Sequence, residues 1–147
     1  KLSCVFKLLD KMDQKDLKPV IDSETISKRY SYITELETEI VVIVILNRNK
    51  QLLFEKTLFV GSENKVVLSF RQILKEILIN NGSNFYLIHN HPNGNSKPSL
   101  YDIELTNEII KESSKLGIHL IDHLILTKDN TCSIIEHINY MKKFKFI

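Results

Sequence analysis

Two histidines stand one residue apart in His89-Asn90-His91, and Asp102 follows after ten further residues. The preceding residues, Phe85 to Ile88, are apolar and suit a strand. Strand side chains alternate between faces, so His89 and His91 point the same way. Neutral imidazole is a common ligand for zinc, and two nitrogens on one face supply half of a tetrahedral site. Pro92 and Gly94 break the strand and let the chain turn back, so Asp102 can provide a third ligand. Three protein ligands leave one position for water, the pattern of a catalytic zinc.

Each fragment also has a plain structural reading. Two histidines on one strand face often only pack or hydrogen-bond. Ser99-x-x-Asp102 reads as a helix N-terminus, with Ser99 as cap and the carboxylate bonding back as in a capping box. The two readings of Ser99 and Asp102 are compatible, because a helix start can also present a carboxylate to a metal.

The combination is more specific than its parts. His-x-His, ten residues, then Asp, with Ser three places before the Asp, resembles the JAMM (MPN-type) metalloprotease signature. Within that group, His89-Asn90-His91-Pro92-x-Gly94, Pro98-Ser99-x-x-Asp102, Leu116-Gly117-Ile118 and Asp122-His123 look like the bacterial RadC family. The resemblance extends upstream through Arg71 and Gly61 to Glu39 and covers residues 21 to 136. Asn93 stands where many relatives have Ser, a change that touches none of the three ligand candidates.

The resemblance implies a single zinc ion held by His89, His91 and Asp102, with Glu39 as general acid and base. A carboxylate at a strand's start, beside the metal, can take the proton of the attacking water and pass it to the leaving amine. Glu35 and Glu37 are nearby alternatives. Glu39 is favoured because it sits eight positions before Asn47, the spacing of RadC-like sequences. Ser99 would donate a hydrogen bond to the oxyanion. The implied activity is a zinc metallopeptidase or isopeptidase acting on a peptide or protein. His123 or Asp122 could bond a zinc ligand from outside. The plainer reading is a polar pair at a strand end. His119 and His137 are read as surface or satisfied core histidines.

A second reading is a non-catalytic or DNA-processing module, because the RadC family is associated with DNA repair. Lys142, Lys143 and Lys145, interleaved with Phe144 and Phe146, could contact a single strand by charge and stacking. A net charge of +2 argues against a surface built mainly for nucleic acid. Longer RadC-like proteins carry a preceding helix-hairpin-helix domain. Its glycine-bearing hairpins are absent from this sequence, so its DNA contacts are not carried over. A nucleobase deaminase is set aside, because His-x-Glu and Pro-Cys-x-x-Cys do not occur.

At 147 residues, 43% of them hydrophobic and 26% charged, the chain is long and apolar enough for one folded domain over 21–147 behind a helical lead over 1–20. Cys4 and Cys132 form neither a disulfide framework nor a zinc ribbon. No apolar run reaches the length of a membrane span, and no secretory signal is visible, so the cytoplasm is expected. The chain begins at Lys1, which leaves room for an upstream segment.

These residues must be positioned by alternating elements. Asp22-Ser23 caps a first helix. Ile40 to Leu46 is a strand buried on both faces, and Leu52 to Phe59 returns as a hairpin. Phe70 to Ile79 has helical spacing, with Asn81-Gly82 as its stop. The histidine strand follows, then a helix over Ser99 to Leu116 ended by Gly117. A strand over Ile118 to Leu126 comes next, with His119, Ile121 and His123 on one face, and Thr131 to Ile135 pairs back. The tail, 140–147, is an edge strand or a short helix. Alternating strands and helices indicate a mixed sheet with helices on its faces. The resemblance implies a three-layer α/β (α+β) arrangement like that of the JAMM and cytidine-deaminase folds. An edge strand would permit a homodimer.

Overall fold

The computed structural model describes residues 20–61 and 68–144. The helical lead expected over 1–20 lies outside the described residues except for Val20, which bridges to Gln51. Asp22, in extended backbone, accepts the Thr25 N–H at 2.7 Å and starts helix α1 (Ser23–Arg29). A short 3-10 segment (Ser31–Glu35) follows.

Strand β1 (Ile40–Leu46) is buried along its whole length, as its unbroken β-branched run requires. Asn47 turns the chain by accepting the N–H groups of Asn49 and Gln51 on its side chain, and β2 (Leu52–Val60) returns antiparallel. Helix α2 (Phe70–Ile79) opens with a capping box between Ser69 and Gln72. It closes with a paired stop: Asn81, at φ 54°, donates to Leu78 and Gly82 donates to Ile77. Gly82 can only be glycine, because a Cβ there would stand 2.4 Å from Cγ2 of Ile45.

Strand β3 (Asn84–Asn90) occupies the centre of the sheet, antiparallel to β1 and parallel to β4 (His119–Leu126). The parallel pairing requires a crossover, and helix α3 (Leu100–Ser114) provides it. Strand β5 (Thr131–Ser133) and helix α4 (Ile134–Lys143) complete the order β2-β1-β3-β4-β5. One face of the sheet packs Val42, Val44, Tyr86 and Ile88 against Ile26 of α1 and Ile33 of the 3-10 segment. The other packs Ile43, Ile45, Phe85 and Leu87 against α2 and α3. Ile134 and Ile138 of α4 meet Ile125 on that second side. The architecture is the expected three-layer mixed α/β sheet.

One expectation is corrected near the C-terminus and one open alternative is decided in favour of helix. The last strand stops at Ser133, not Ile135, because the Ser133 hydroxyl oxygen accepts the Glu136 N–H at 3.1 Å and begins a helix. Residues 140–143 belong to that helix, whose Ile134 and Ile138, one turn apart, are buried. Tyr140 and Phe144 stack on each other there, with ring centroids 4.6 Å apart.

Candidate metal centre

Odd-numbered side chains of β3 face α2 and α3, so Phe85 and Leu87 enter the core and His89 continues the same row. His91, just past the strand, keeps that direction. The two Nε2 atoms stand 3.0 Å apart. Nδ1 of His91 lies 2.7 Å from the Asn95 carbonyl, which can only accept. The neutral ring therefore carries its proton on Nδ1 and presents a bare lone pair at Nε2. Gly94, at φ 80°, supplies the turn that brings this carbonyl back.

Ser99 caps α3 and Asp102 completes the capping box, as its spacing implies: Ser99 Oγ accepts the Asp102 N–H at 3.0 Å and Asp102 Oδ2 accepts the Ser99 N–H at 2.8 Å. The same carboxylate faces both histidines. Its Oδ1 lies 3.5 Å from His89 Nε2 and its Oδ2 lies 3.6 Å from His91 Nε2. Ligands about 2.0 Å from one tetrahedral centre are about 3.3 Å apart. The two ring nitrogens are 3.0 Å apart and each lies 3.5 or 3.6 Å from its own oxygen of the Asp102 carboxylate, so two imidazoles and a carboxylate converge on one place.

Glu39 reaches the same place from the start of β1. One of its oxygens and one ring nitrogen each of His89 and His91 lie within 4.8 Å of one another, so a His-His-Glu group could also hold a metal ion. The backbone around Glu39 is fixed from two sides. Asn90, between the histidines and 1% exposed, accepts the Ile40 N–H at 2.8 Å and donates to the Thr38 carbonyl at 3.0 Å. Gly61 donates its N–H to the Glu39 carbonyl at 2.6 Å. Sequence reasoning gave Asn90 no role. The available signal was a poor strand former at the end of an apolar strand.

His123 approaches from β4 by a route that simple alternation misses. Phe85 pairs with Leu120 but Tyr86 pairs with Asp122, so Ile121 is an extra residue, a bulge in the ladder. Leu120 packs towards α2 and α3, Ile121 packs with the α1 side, and His123 returns to the face of His89. His119, Ile121 and His123 thus do not share a face as expected, and His119 is exposed. His123 Nε2 lies 2.9 Å from His89 Nδ1, and its Nδ1 lies 2.7 Å from Thr106 Oγ1. Asp122 turns to the backbone of its own strand and to β5. It accepts the His123 N–H at 2.7 Å and the Ser133 hydroxyl at 2.8 Å.

The electrostatics follow from this crowding. Burial alone would raise the Asp102 carboxyl, but His89, His91 and Ser99 together outweigh it and hold it far below the ordinary carboxylate range. The Asp102 carboxylate raises His91 above its ordinary value. Full burial, and the neighbouring His89, keep His123 neutral. Asp122 is raised by burial, a shift its hydrogen bonds only partly oppose.

A family model described as the RadC-like JAB domain matches residues 21–140. A UPF0758 protein of Bacillus licheniformis is 37% identical over 101 residues, which are 69% of this chain and 45% of that protein. The UPF0758 protein YsxA of Bacillus subtilis is 34% identical over 69% of this chain and 44% of its own length. A UPF0758 protein of Photorhabdus laumondii is 29% identical over 80% of this chain and 52% of its own length. The chain spans about half the length of the curated relatives it matches. No helix among the described residues is long and apolar enough to cross a membrane. Because the matched stretch takes in all five strands and the whole histidine–carboxylate cluster, the chain belongs to the RadC-like JAB domain family.

Proposed function

We propose that this domain is a zinc-dependent metallopeptidase or isopeptidase. One observation carries the reading: two imidazole Nε2 atoms 3.0 Å apart converge with the Asp102 carboxylate, one oxygen of which lies 3.5 Å from His89 and the other 3.6 Å from His91. The donor chemistry also fits. Two imidazoles and one carboxylate make a three-residue set of the kind that catalytic zinc uses. Zinc held by His89, His91 and Asp102 would lower the pKa of a coordinated water to about 7 and polarise a substrate carbonyl.

The chain's own residues supply the rest. Glu39, with a carboxylate oxygen within 4.8 Å of a ring nitrogen of each histidine, takes the proton of the attacking water and returns it to the leaving amine. Asn90 and Gly61 hold the backbone on which that carboxylate stands. Ser99 spends a lone pair, not its proton, on the helix cap, so its O–H remains able to donate to the developing oxyanion.

The test is metal analysis together with a peptidase assay on ubiquitin-like and short peptide substrates. Near-stoichiometric zinc in the wild type, lost in His91→Ala, is expected. Glu39→Gln should keep the zinc and lose hydrolysis. A wild-type protein that folds but takes up no zinc overturns the reading.

A further inference from the structure

The sequence of donors behind His89 forms a loop that starts and ends at the metal cluster. His89 Nδ1 meets His123 Nε2, His123 Nδ1 meets Thr106 Oγ1, and Thr106 Oγ1 lies 2.6 Å from the backbone carbonyl of Asp102. Thr106 is one turn along α3 from Asp102, and both His123 and Thr106 are buried. The three protons of this loop can run in only two consistent directions. The carbonyl at its end has no proton to give, so it fixes the direction in which the Thr106 hydroxyl points. That hydroxyl then accepts from His123 Nδ1, and His123 Nε2 accepts from His89 Nδ1.

We infer that His123 and Thr106 are positioning residues, which set His89 in the Nδ1-protonated tautomer and so leave its Nε2 lone pair bare towards Asp102 and His91. The reverse polarity, with Thr106 donating to His123, places a proton on His89 Nε2 in the middle of the cluster. The bulge at Ile121 brings His123 to this face, and Asp122 pins the His123 backbone N–H. A ligand imidazole is usually steered by a carboxylate, carbonyl or water on its far nitrogen. Here a second imidazole does it. The steering chain ends on the backbone of a third cluster member, tying strand β3 to helix α3. The Thr106 methyl group fills the same space as a valine branch, which makes the hydroxyl separable from the packing.

This inference rests on the reading of the cluster as a zinc site, but its test does not depend on activity. Nitrogen-15 NMR of histidine-labelled, metal-free protein at pH 8 reports which ring nitrogen of each histidine is protonated. His89 protonated on Nδ1 and bare on Nε2 is the expected result. His89 protonated on Nε2 overturns the inference, whether or not the protein binds zinc. Zinc affinity by chelator competition gives the second readout. Thr106→Val should weaken it by about 10- to 100-fold, and Thr106→Ser should restore it to near wild type. His123→Gln, whose amide can accept from His89 and donate to Thr106, should bind more tightly than His123→Leu. Equal zinc affinity and an unchanged His89 tautomer in Thr106→Val would also overturn it. A wild type with the expected tautomer that takes up no zinc counts against the zinc reading alone.

Discussion

Gly61 lies against Glu39. Its N–H donates to the Glu39 carbonyl at 2.6 Å, and a Cβ at position 61 would stand 3.3 Å from the Glu39 Cβ and 3.2 Å from its oxygen. The absent side chain is therefore part of what holds the proposed base in place. Gly61→Ala should push Glu39 aside by a few tenths of an ångström or more. Displacements approaching 1 Å at a reacting group cost up to about 100-fold in rate. The expected outcome is kcat down about 10-fold or more, with bound zinc unchanged and a melting temperature near wild type. Metal analysis and steady-state kinetics on one preparation check it.

Ser99 has two duties that a pair of variants can separate. Ser99→Ala removes both the cap and the O–H. Loss of the cap should cost about 1 kcal/mol of stability. Loss of an oxyanion donor should cost about 3 kcal/mol of transition-state stabilisation, roughly 100-fold in kcat. Ser99→Gly retains most of the capping preference but has no hydroxyl. It should therefore unfold within a few tenths of a kcal/mol of wild type and be as slow as Ser99→Ala. Activity and denaturant stability falling in step across both variants would remove the catalytic role.

The pH dependence follows from His91 and Asp102. In the metal-free protein the Asp102 carboxylate raises His91 above 6.5, so its proton binds more tightly when folded than when unfolded. The stability this gives is fully present below pH 6.5 and fades as pH rises through the raised value. Asp102 is depressed, so its contribution is present above 3.8 and is lost only in strong acid. The stability lost in metal-free His91→Ala relative to metal-free wild type should therefore be larger at pH 6 than at pH 8.5; His123, held neutral when folded, works in the opposite sense in both proteins and cancels in that difference. Zinc must displace the same proton, so its affinity should fall as pH drops below the raised His91 value. Calorimetry across this range, with and without chelator, measures both.

Asn90 closes two backbone groups on either side of Glu39. Asn90→Ala leaves the buried Ile40 N–H without its partner, which should cost about 1–3 kcal/mol. It also frees the base. Zinc should stay bound, because neither imidazole is touched, while kcat falls. Urea unfolding and metal content, taken together, distinguish this from a general loss of the site.

Much of this arrangement was legible from local chemistry. Asp22 and Ser99 cap helices as their positions imply, and the β-branched run of β1 is buried on both faces. The same-face placement of His89 and His91 follows from strand geometry alone. Three features were not legible because they depend on partners distant in sequence. The bulge at Ile121 is visible only in the pairing of β4 with β3. Asn90 acts on residues fifty positions earlier. Thr106 looks like any helix threonine until His123 is laid against it. The tail stayed open for a different reason: Lys and Phe alternate over 143–146 with a strand's period, while the burial of Ile134 and Ile138 follows a helix's.

The three ligands proposed for the cation come from one strand–loop–helix stretch, residues 89 to 102, whereas Glu39 stands just before a different strand, fifty positions upstream. On the proposed reading, gripping an ion and moving a proton are duties of mechanically separate parts. A descendant chain could lose its chemistry through one substitution at position 39 and go on carrying its ion, its shape and its recognition surface intact. For any relative of this domain, a loaded metal site would then say little about turnover, and residue 39 would be the place to look first.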